Sequence, residues 1–198
     1  IHEAAHGYAA RRFGDNTAYM LGRVSLNPAK HIDPVGTILI PLALILTGSP
    51  FLVGYAKPVP VNFGRLRNPR IDSIWVALAG PGSNFFQALF WAILLILLLG
   101  LGIDEKFFIS MAQAGITWNI GLLVFNLFPL PPLDGGRILS SLLPARQSIA
   151  LGKLEPWGFF IVLALVFTGI IGSLWMEPLM AFFKWVIYLF TIPLQMLF

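Results

Sequence analysis

The chain has 198 residues, of which 57% are hydrophobic and 11% are charged. About a quarter of the residues of a soluble domain are charged, so this composition predicts a membrane protein with no sizeable soluble domain. The 13 Lys and Arg residues give a net charge of +4 but form no basic run, so we expect positive loops at a lipid bilayer and no nucleic-acid partner. The absence of cysteine excludes disulfides and thiolate metal ligands.

The first residues form an H-E-x-x-H motif, His2-Glu3-Ala4-Ala5-His6. Helix positions i and i+4 share a face, so two neutral imidazoles can hold one cation while Glu3, beside them, accepts a proton. Two solvated histidines at a helix end are the ordinary alternative, but ionisable groups within membrane segments are usually functional. The chain starts inside this predicted helix without a Met, so we expect a truncated N-terminus.

Residues 14–34 and 53–63 differ from the apolar segments around them. Loose alternation between turn signals predicts a β-hairpin or extended loop over 14–34. Prolines exclude a helix over 53–63 and predict an extended, edge-like segment, of which 54–62 could hold an extended peptide by adding a strand. His31 is the one other histidine, and a fourth protein ligand would close a catalytic metal site, so we interpret it as a polar or substrate-side residue.

Long stretches with little or no charge mark the predicted membrane segments. Together with the helix of the H-E-x-x-H motif, they predict five to six segments. The stretches are 34–56, 73–103, 107–133, 156–176 and the tail 178–198, which contains only Lys184. Gly and Pro residues at 48–50, 80–82 and 129–132 predict broken helices that line a polar cavity, because broken backbone in a membrane must face protein or water.

Loop charges give a partial prediction of orientation. Segments 57–70 and 137–153 are basic and favour the cytoplasmic side, whereas 104–106 is acidic on balance and favours the far side. Segment 11–30 is also basic, although one predicted span separates it from 57–70. Either 34–56 enters and leaves the membrane on one side, or one of these loops is on the side that its charge disfavours, and the first alternative is preferred. We therefore predict that 34–56 is re-entrant.

Three polar residues lie within or directly after the long apolar stretches. Asp134 follows the uncharged residues 107–133 and is the best candidate for a third metal ligand, although Asp-Gly after prolines is also an ordinary turn. Asn84 and Asn126 are amides that either bond neighbouring helices or bind a substrate carbonyl.

These motifs resemble those of the site-2 proteases, a family of intramembrane zinc metalloproteases. The family's first motif corresponds to residues 2–6, and its second, N-x-x-P-x-P-x-L-D-G, corresponds to residues 126–135. Residues 80–84, 27–34 and 54–62 are also similar to segments of the family. The resemblance covers residues 1 to about 140, and beyond them only generic membrane helices match.

The resemblance implies a single all-α polytopic membrane core over residues 1–198, with short extended or β segments between helices. It implies Zn²⁺ bound by His2, His6 and Asp134, and Glu3 as general base and acid. Asn84, and with it Asn126, would lie near the substrate. Substrates would be transmembrane helices, cleaved in regulated intramembrane proteolysis at a site facing the cytoplasm of the cell membrane. Many members carry a PDZ or CBS domain, and neither is recognisable here, which leaves regulation open.

Two other functions compete with proteolysis. Broken helices and polar groups at membrane depth also suit a transporter or channel with a metal in its path, although such proteins often have two similar halves, which this sequence lacks. A proteolytically inactive scaffold that binds membrane helices is the other, and the intact Glu3 argues against it.

Overall fold

The computed structural model describes residues 1–48 and 54–197. Over these residues the chain is helical and has no β-strand. It divides into two compact units, Ile1–Val76 and Ala77–Phe198. The all-α prediction is thus confirmed, whereas the predicted β segments are absent from the described parts of the chain.

The first unit is made mostly of short helices. It begins with the helix that carries the H-E-x-x-H motif, and it ends within the first turns of the first long helix. In chain order the elements are α1 (His2–Arg12), α2 (Thr17–Met20), a 3-10 helix (Pro28–His31), a π-helix (Pro34–Leu39), α3 (Ile40–Leu46), a second 3-10 helix (Phe63–Arg65) and α4 (Pro69–Gly100). Ala10, Leu66 and Val76 form its small buried core.

The β-hairpin predicted over residues 14–34 is wrong. Asp15 instead accepts hydrogen bonds from the backbone N and Oγ1 of Thr17, the first residue of α2. Further on, the Asn27 side chain accepts a 3.0 Å bond from the N of Ala29 and caps the first 3-10 helix. Polar side chains that accept hydrogen bonds from nearby N–H groups compete with strand pairing. Here these local hydrogen bonds favoured short helices over the hairpin that the weak alternation of apolar residues predicted.

The apolar stretch 34–56 does not contain a full membrane span within its described part. Its π-helix and α3 together cover Pro34–Leu46, about 20 Å of helix against a hydrocarbon core of about 30 Å. The predicted break at Gly48 is confirmed, because α3 ends at Leu46 and Gly48 has a φ of +67°. Ser49 and Pro50, the rest of that prediction, lie outside the described residues. The re-entrant path stays a prediction.

The second unit contains the long helices. After α4 come α5 (Lys106–Asn126), α6 (Asp134–Leu142), α7 (Ala145–Gly152), α8 (Glu155–Phe167), a π-helix (Gly172–Met176) and α9 (Glu177–Gln195). Residues of α4, α5 and α9 share its buried core, which consists of Ala88, Ala92, Ile120, Leu123, Val124 and Ile187. Trp175 adds a polar contact to this packing by donating from Nε1 to the Val124 carbonyl at 2.9 Å.

Three helices of the described chain are long and apolar enough to cross a membrane: Pro69–Gly100, Lys106–Asn126 and Gly172–Gln195. A fourth span results if α7 and α8, bent by 68°, count as one. These helices expose large apolar side chains such as Phe86 and Trp118, as lipid-facing helices do. The chain is therefore a membrane protein, and the residues that the structure describes contain three or four spans, fewer than the predicted five to six segments.

The error arose because an uncharged stretch need not be one straight helix. Gly169, with a φ of +73°, divides the stretch 156–176 between α8 and the next π-helix. A charge gap reports an apolar environment, whereas a span also requires about 20 continuous helical residues.

The predicted break at Gly80-Pro81-Gly82 is also wrong, because α4 continues through Pro81. A proline removes one N–H from a helix, and a membrane helix tolerates this when the turns on either side stay bonded. By contrast, the predicted break at the later prolines is confirmed. α5 ends at Asn126 and α6 begins at Asp134, with the prolines in the tight loop between them.

Candidate metal centre

The two histidines of α1 point their rings toward each other. Their Nε2 atoms are 3.1 Å apart, and the ring planes meet edge to face at 79°. Two imidazole nitrogens that share a tetrahedral Zn²⁺ at about 2.05 Å would lie about 3.3 Å apart. His2 and His6 therefore fit the spacing that a shared divalent cation requires, and the helical spacing predicted from the sequence is confirmed.

The outer nitrogen of His6 is held by backbone. Its Nδ1 lies 2.7 Å from the carbonyl oxygen of Val76, so Nδ1 carries the proton and donates it. The lone pair is then on Nε2, the atom that faces His2. Metal-binding histidines are typically oriented by such a bond from the other ring nitrogen.

Glu3 lies between the two histidines in sequence and contacts a different part of the first unit. Its Oε2 accepts a 2.9 Å hydrogen bond from the backbone N of Val59. One turn further along α1, Gly7 leaves room for the Val59 side chain, since an added Cβ would lie 3.2 Å from Val59 Cγ1 and 2.9 Å from Val24 Cγ2. Segment 54–62 thus packs directly against the helix face that carries the carboxylate.

A second carboxylate holds the end of the same segment. Asp15 is fully buried, and its Oδ2 accepts from the backbone N of Asn62 at 2.7 Å, while its Oδ1 accepts from Thr17. Burial by itself raises the pKa of Asp15, but the hydrogen bonds from Thr17 and Asn62, aided by Arg65, outweigh it and lower this pKa below its ordinary value. Asp15 is therefore ionised and tightly bonded at neutral pH.

Asp134 is the first residue of α6, in the second unit. The backbone of the preceding loop lies so close to α6 that only glycine fits at the next two positions. An added Cβ on Gly135 would overlap the Leu127 carbonyl, and one on Gly136 would overlap the backbone at Pro131. Close packing of backbone on backbone therefore fixes the position of the Asp134 backbone, from which its carboxylate extends. Its predicted role as a metal ligand stays a prediction.

The two predicted substrate-binding amides have different surroundings in the second unit. Asn84 on α4 is 1% exposed, and its Oδ1 accepts a long 3.5 Å bond from Gln87. Its Nδ2 has no hydrogen-bond partner among the described residues. Asn126 donates from Nδ2 to the Leu122 carbonyl of its own helix at 2.9 Å. Asn84 thus retains a buried donor for a ligand, and a substrate role for either amide stays a prediction.

His31 is buried within the first unit, and the hydrogen bonds described for it are to residues other than His2 and His6. Its Nε2 lies 2.8 Å from the Ser25 carbonyl, and its own carbonyl accepts from the N of Lys57 at 2.8 Å. The bond to Ser25 links the first 3-10 helix to the chain before it, and the bond from Lys57 ties that helix to segment 54–62. His31 therefore has a structural role here, in keeping with its interpretation as a polar residue.

Sequence reasoning missed two functional candidates, Asp15 and the N–H of Val59. In the sequence, Asp15 lies between Gly14 and Asn16 and indicates only a turn. A signal for Val59 was present in the sequence, because a residue between Pro58 and Pro60 has the one backbone N–H of those three positions. The side chain that would accept from that N–H cannot be found from local sequence.

Comparison with known proteins places these residues in a family. The model of "Peptidase family M50" matches residues 103–169, which include Asp134 but not the H-E-x-x-H motif. The chain is 40% identical to "Putative zinc metalloprotease YwhC" of Bacillus subtilis (strain 168), over 91% of this chain and 80% of that protein.

Two mycobacterial relatives are more distant. "Putative zinc metalloprotease Rip2" of Mycolicibacterium smegmatis is 31% identical, over 92% of this chain and 68% of its own length. The protein of the same name in Mycobacterium tuberculosis (strain ATCC 25618 / H37Rv) is 28% identical, over 83% of this chain and 61% of its own length. No solved structure gives a significant match. With these relatives covering the chain almost from end to end, the chain belongs to peptidase family M50, the site-2 proteases.

Proposed function

We propose that this chain is an intramembrane zinc metalloprotease that cleaves peptide bonds within or near transmembrane helices of membrane-protein substrates. The observation that carries the proposal is the pair of Nε2 atoms 3.1 Å apart, with Glu3 next to them on the same helix. Family membership and the printed name of the relatives, zinc metalloprotease, support the same activity. Function here follows from the site, since helical membrane folds serve many activities.

We assign the metal to His2, His6 and Asp134. The donor set suits Zn²⁺, because two imidazoles and one carboxylate are the ligands of many catalytic zinc sites and leave a fourth position open. The bond from His6 to the Val76 carbonyl supports the required tautomer. Asp134 is included as the third ligand because of its place in the family motif and because close backbone packing at Gly135 and Gly136 fixes the start of α6.

When bound, Zn²⁺ supplies Lewis-acid chemistry, acidifying water and polarising the scissile carbonyl. Glu3 then takes a proton from the attacking water and later gives it to the leaving amine, as a general base and acid. Its Oε2 is held by Val59, which leaves Oε1 for the proton. The imidazoles of His2 and His6 stay neutral throughout, because protonation would remove the lone pairs that bind the metal.

A helical substrate hides its carbonyls in its own hydrogen bonds, so it must unwind locally before cleavage. Segment 54–62 is our candidate for holding the unwound stretch of the substrate. Pro58 and Pro60 support this role, because they disfavour helix and keep the residues before them extended. Asn84, with its buried Nδ2, is a second candidate contact for a substrate carbonyl. We propose the same role for Asn126, and its position in the family motif is the one observation that supports it.

We further propose that the protein lies in the cell membrane with its active site toward the cytoplasm. The basic segments 57–70 and 137–153 support this orientation. The chain has no cysteine, so single-cysteine variants report topology cleanly. We expect an impermeant maleimide to label Asp104→Cys in whole cells and Arg146→Cys only after lysis. Labelling of Arg146→Cys in whole cells would reject the orientation.

The function is tested by cleavage in liposomes of a reporter with one apolar helix between two soluble tags. We expect the wild-type chain to cut the reporter within or near its helix, and Glu3→Gln to cut it at least about 100-fold more slowly while retaining zinc. Equal cutting by both would reject the mechanism. Zinc flux through the same liposomes without any cutting would favour a transporter instead.

A further inference from the structure

Segment 54–62 is bound to its surroundings through alternate backbone N–H groups. The N of Tyr55 donates to the Gly36 carbonyl at 3.0 Å, and the N of Lys57 donates to the His31 carbonyl at 2.8 Å. The third N–H of this series is that of Val59, and its acceptor is Oε2 of Glu3 at 2.9 Å. A side-chain carboxylate thus occupies the place that a backbone carbonyl occupies at the two preceding positions.

Val59 is held firmly on α1. It is 8% exposed, and its side chain packs over Gly7, one helical turn beyond Glu3. Its neighbours Pro58 and Pro60 have no N–H, so no register shift by one residue could supply another donor to the carboxylate.

The segment is also anchored on both sides of Val59. Before it, Arg23 donates from Nη2 to the Lys57 carbonyl at 3.0 Å. After it, the N of Asn62 donates to buried Asp15 at 2.7 Å. These two anchors prevent the segment from sliding along α1, so the Val59 N–H stays directed at Glu3.

We propose that Val59 is a positioning residue whose backbone N–H orients the carboxylate of Glu3 for proton transfer, with Asp15 and Arg23 keeping Val59 in place. The proposal rests on the proposed protease function, in which Glu3 is the base. A glutamate side chain has several rotamers, and a hydrogen bond from one backbone N–H to one carboxylate oxygen favours a single rotamer. The bond occupies only Oε2, so Oε1 stays available for the proton. Misplacement of a catalytic group by about 1 Å can cost about 100-fold in rate.

The test compares Val59→Pro with Val59→Ala in the full chain. Val59 precedes a proline and is already confined to extended backbone, so a proline there keeps the path of the segment and removes the N–H. Its Cδ takes the place of the amide hydrogen and also presses on Glu3, and the ester variant described below removes the N–H without this added group. Val59→Ala removes most of the side chain and keeps the N–H, which makes it the matched control. Cleavage of the single-helix reporter in liposomes gives kcat and KM, and zinc content and Tm are measured on the same preparations.

We expect Val59→Pro to lower kcat about 10- to 100-fold relative to Val59→Ala, with KM within about threefold and zinc content equal to that of the wild type. A purely structural role for Val59 would lower Tm or zinc content in both variants and would not separate kcat from KM. Equal kcat in the two variants, or a raised KM with unchanged kcat, would overturn the proposal.

An amide-to-ester replacement at residue 59 provides a second, milder variant in case Val59→Pro misfolds. It introduces the α-hydroxy analogue of valine and so exchanges only the N–H for an oxygen. The same fall in kcat is expected, and an unchanged kcat would overturn the proposal. The two hypotheses fail differently: equal cutting by wild type and Glu3→Gln rejects the protease, whereas active wild type with fully active ester protein rejects only the role of Val59.

Discussion

Gly158 on α8 gives a sharp test of how the Asp134 loop is held. An alanine Cβ at this position would overlap the Pro131 carbonyl oxygen and lie 2.7 Å from the Pro131 carbonyl carbon and 2.9 Å from Pro132 Cδ. Ordinary contact begins at 3.4 Å, so even the two carbons must retreat by about 0.5 to 0.7 Å, and the oxygen by more. The obstructing atoms belong to the Pro131 backbone and the Pro132 ring, neither of which can rotate away as a flexible side chain can.

We therefore expect Gly158→Ala to destabilise the chain by about 2–3 kcal/mol, in the range for overpacked sites, despite the roughly 1 kcal/mol that alanine gains in helix propensity. That corresponds to a fall in Tm of about 5–10 °C for a chain of this size. If Asp134 binds the metal, the displaced loop should also lower the zinc content of the purified protein.

The control is Gly121→Ala on α5, where an added Cβ meets no atom within 4 Å. This variant should keep or slightly raise the Tm and leave zinc content unchanged, since it only gains helix propensity. Thermal unfolding in detergent and metal analysis of the same samples measure both effects. A Tm for Gly158→Ala equal to that of Gly121→Ala would refute the reasoning from backbone contact.

Three further predictions follow from individual residues. Asp134→Ala should reduce zinc from about one ion per chain to a small fraction of that, and full retention of zinc would exclude Asp134 as a ligand. The pKa of Asp15 is lowered in the folded chain, so its ionised form contributes stability above pH 3.8, its ordinary value, and this contribution is lost as pH falls through the folded pKa. The Tm difference between wild type and Asp15→Asn should thus be constant at neutral pH and shrink in acid, and a difference that grows in acid would contradict the assignment. Trp175→Phe should cost about 1 kcal/mol, measured as a lower Tm, because it removes the donor to the Val124 carbonyl, and an unchanged Tm would show that this bond contributes little.

Much of the site could be predicted because its residues are close in sequence. His2, Glu3 and His6 lie within two turns of one helix, and helical geometry alone brings the two imidazoles together. The partners of these residues could not be predicted in this way. Val76 is 70 residues from His6 and Val59 is 56 residues from Glu3, and no local pattern states which backbone groups will meet them.

The helix count shows the same limit for the fold. Apolar composition predicted a membrane protein, because burial in lipid depends on the sum of side-chain hydropathies. The helical class was implied by the resemblance to the site-2 proteases. Composition did not predict that α4 continues through Pro81 while the stretch 156–176 divides at Gly169. Whether a Pro or Gly breaks a helix depends on the packing and hydrogen bonds around it, which arise from distant parts of the chain.

By itself, the order of residues predicted a metal-binding helix with its base and determined a membrane environment, since each depends on spacing or composition within one segment. Only the tertiary structure decided that a proline-flanked N–H bonds to Glu3, that Asp15 anchors the same segment, and that α8 needs a glycine beneath the Pro131 carbonyl. Those contacts join residues far apart in the chain, and their existence depends on three-dimensional packing that local propensities do not encode.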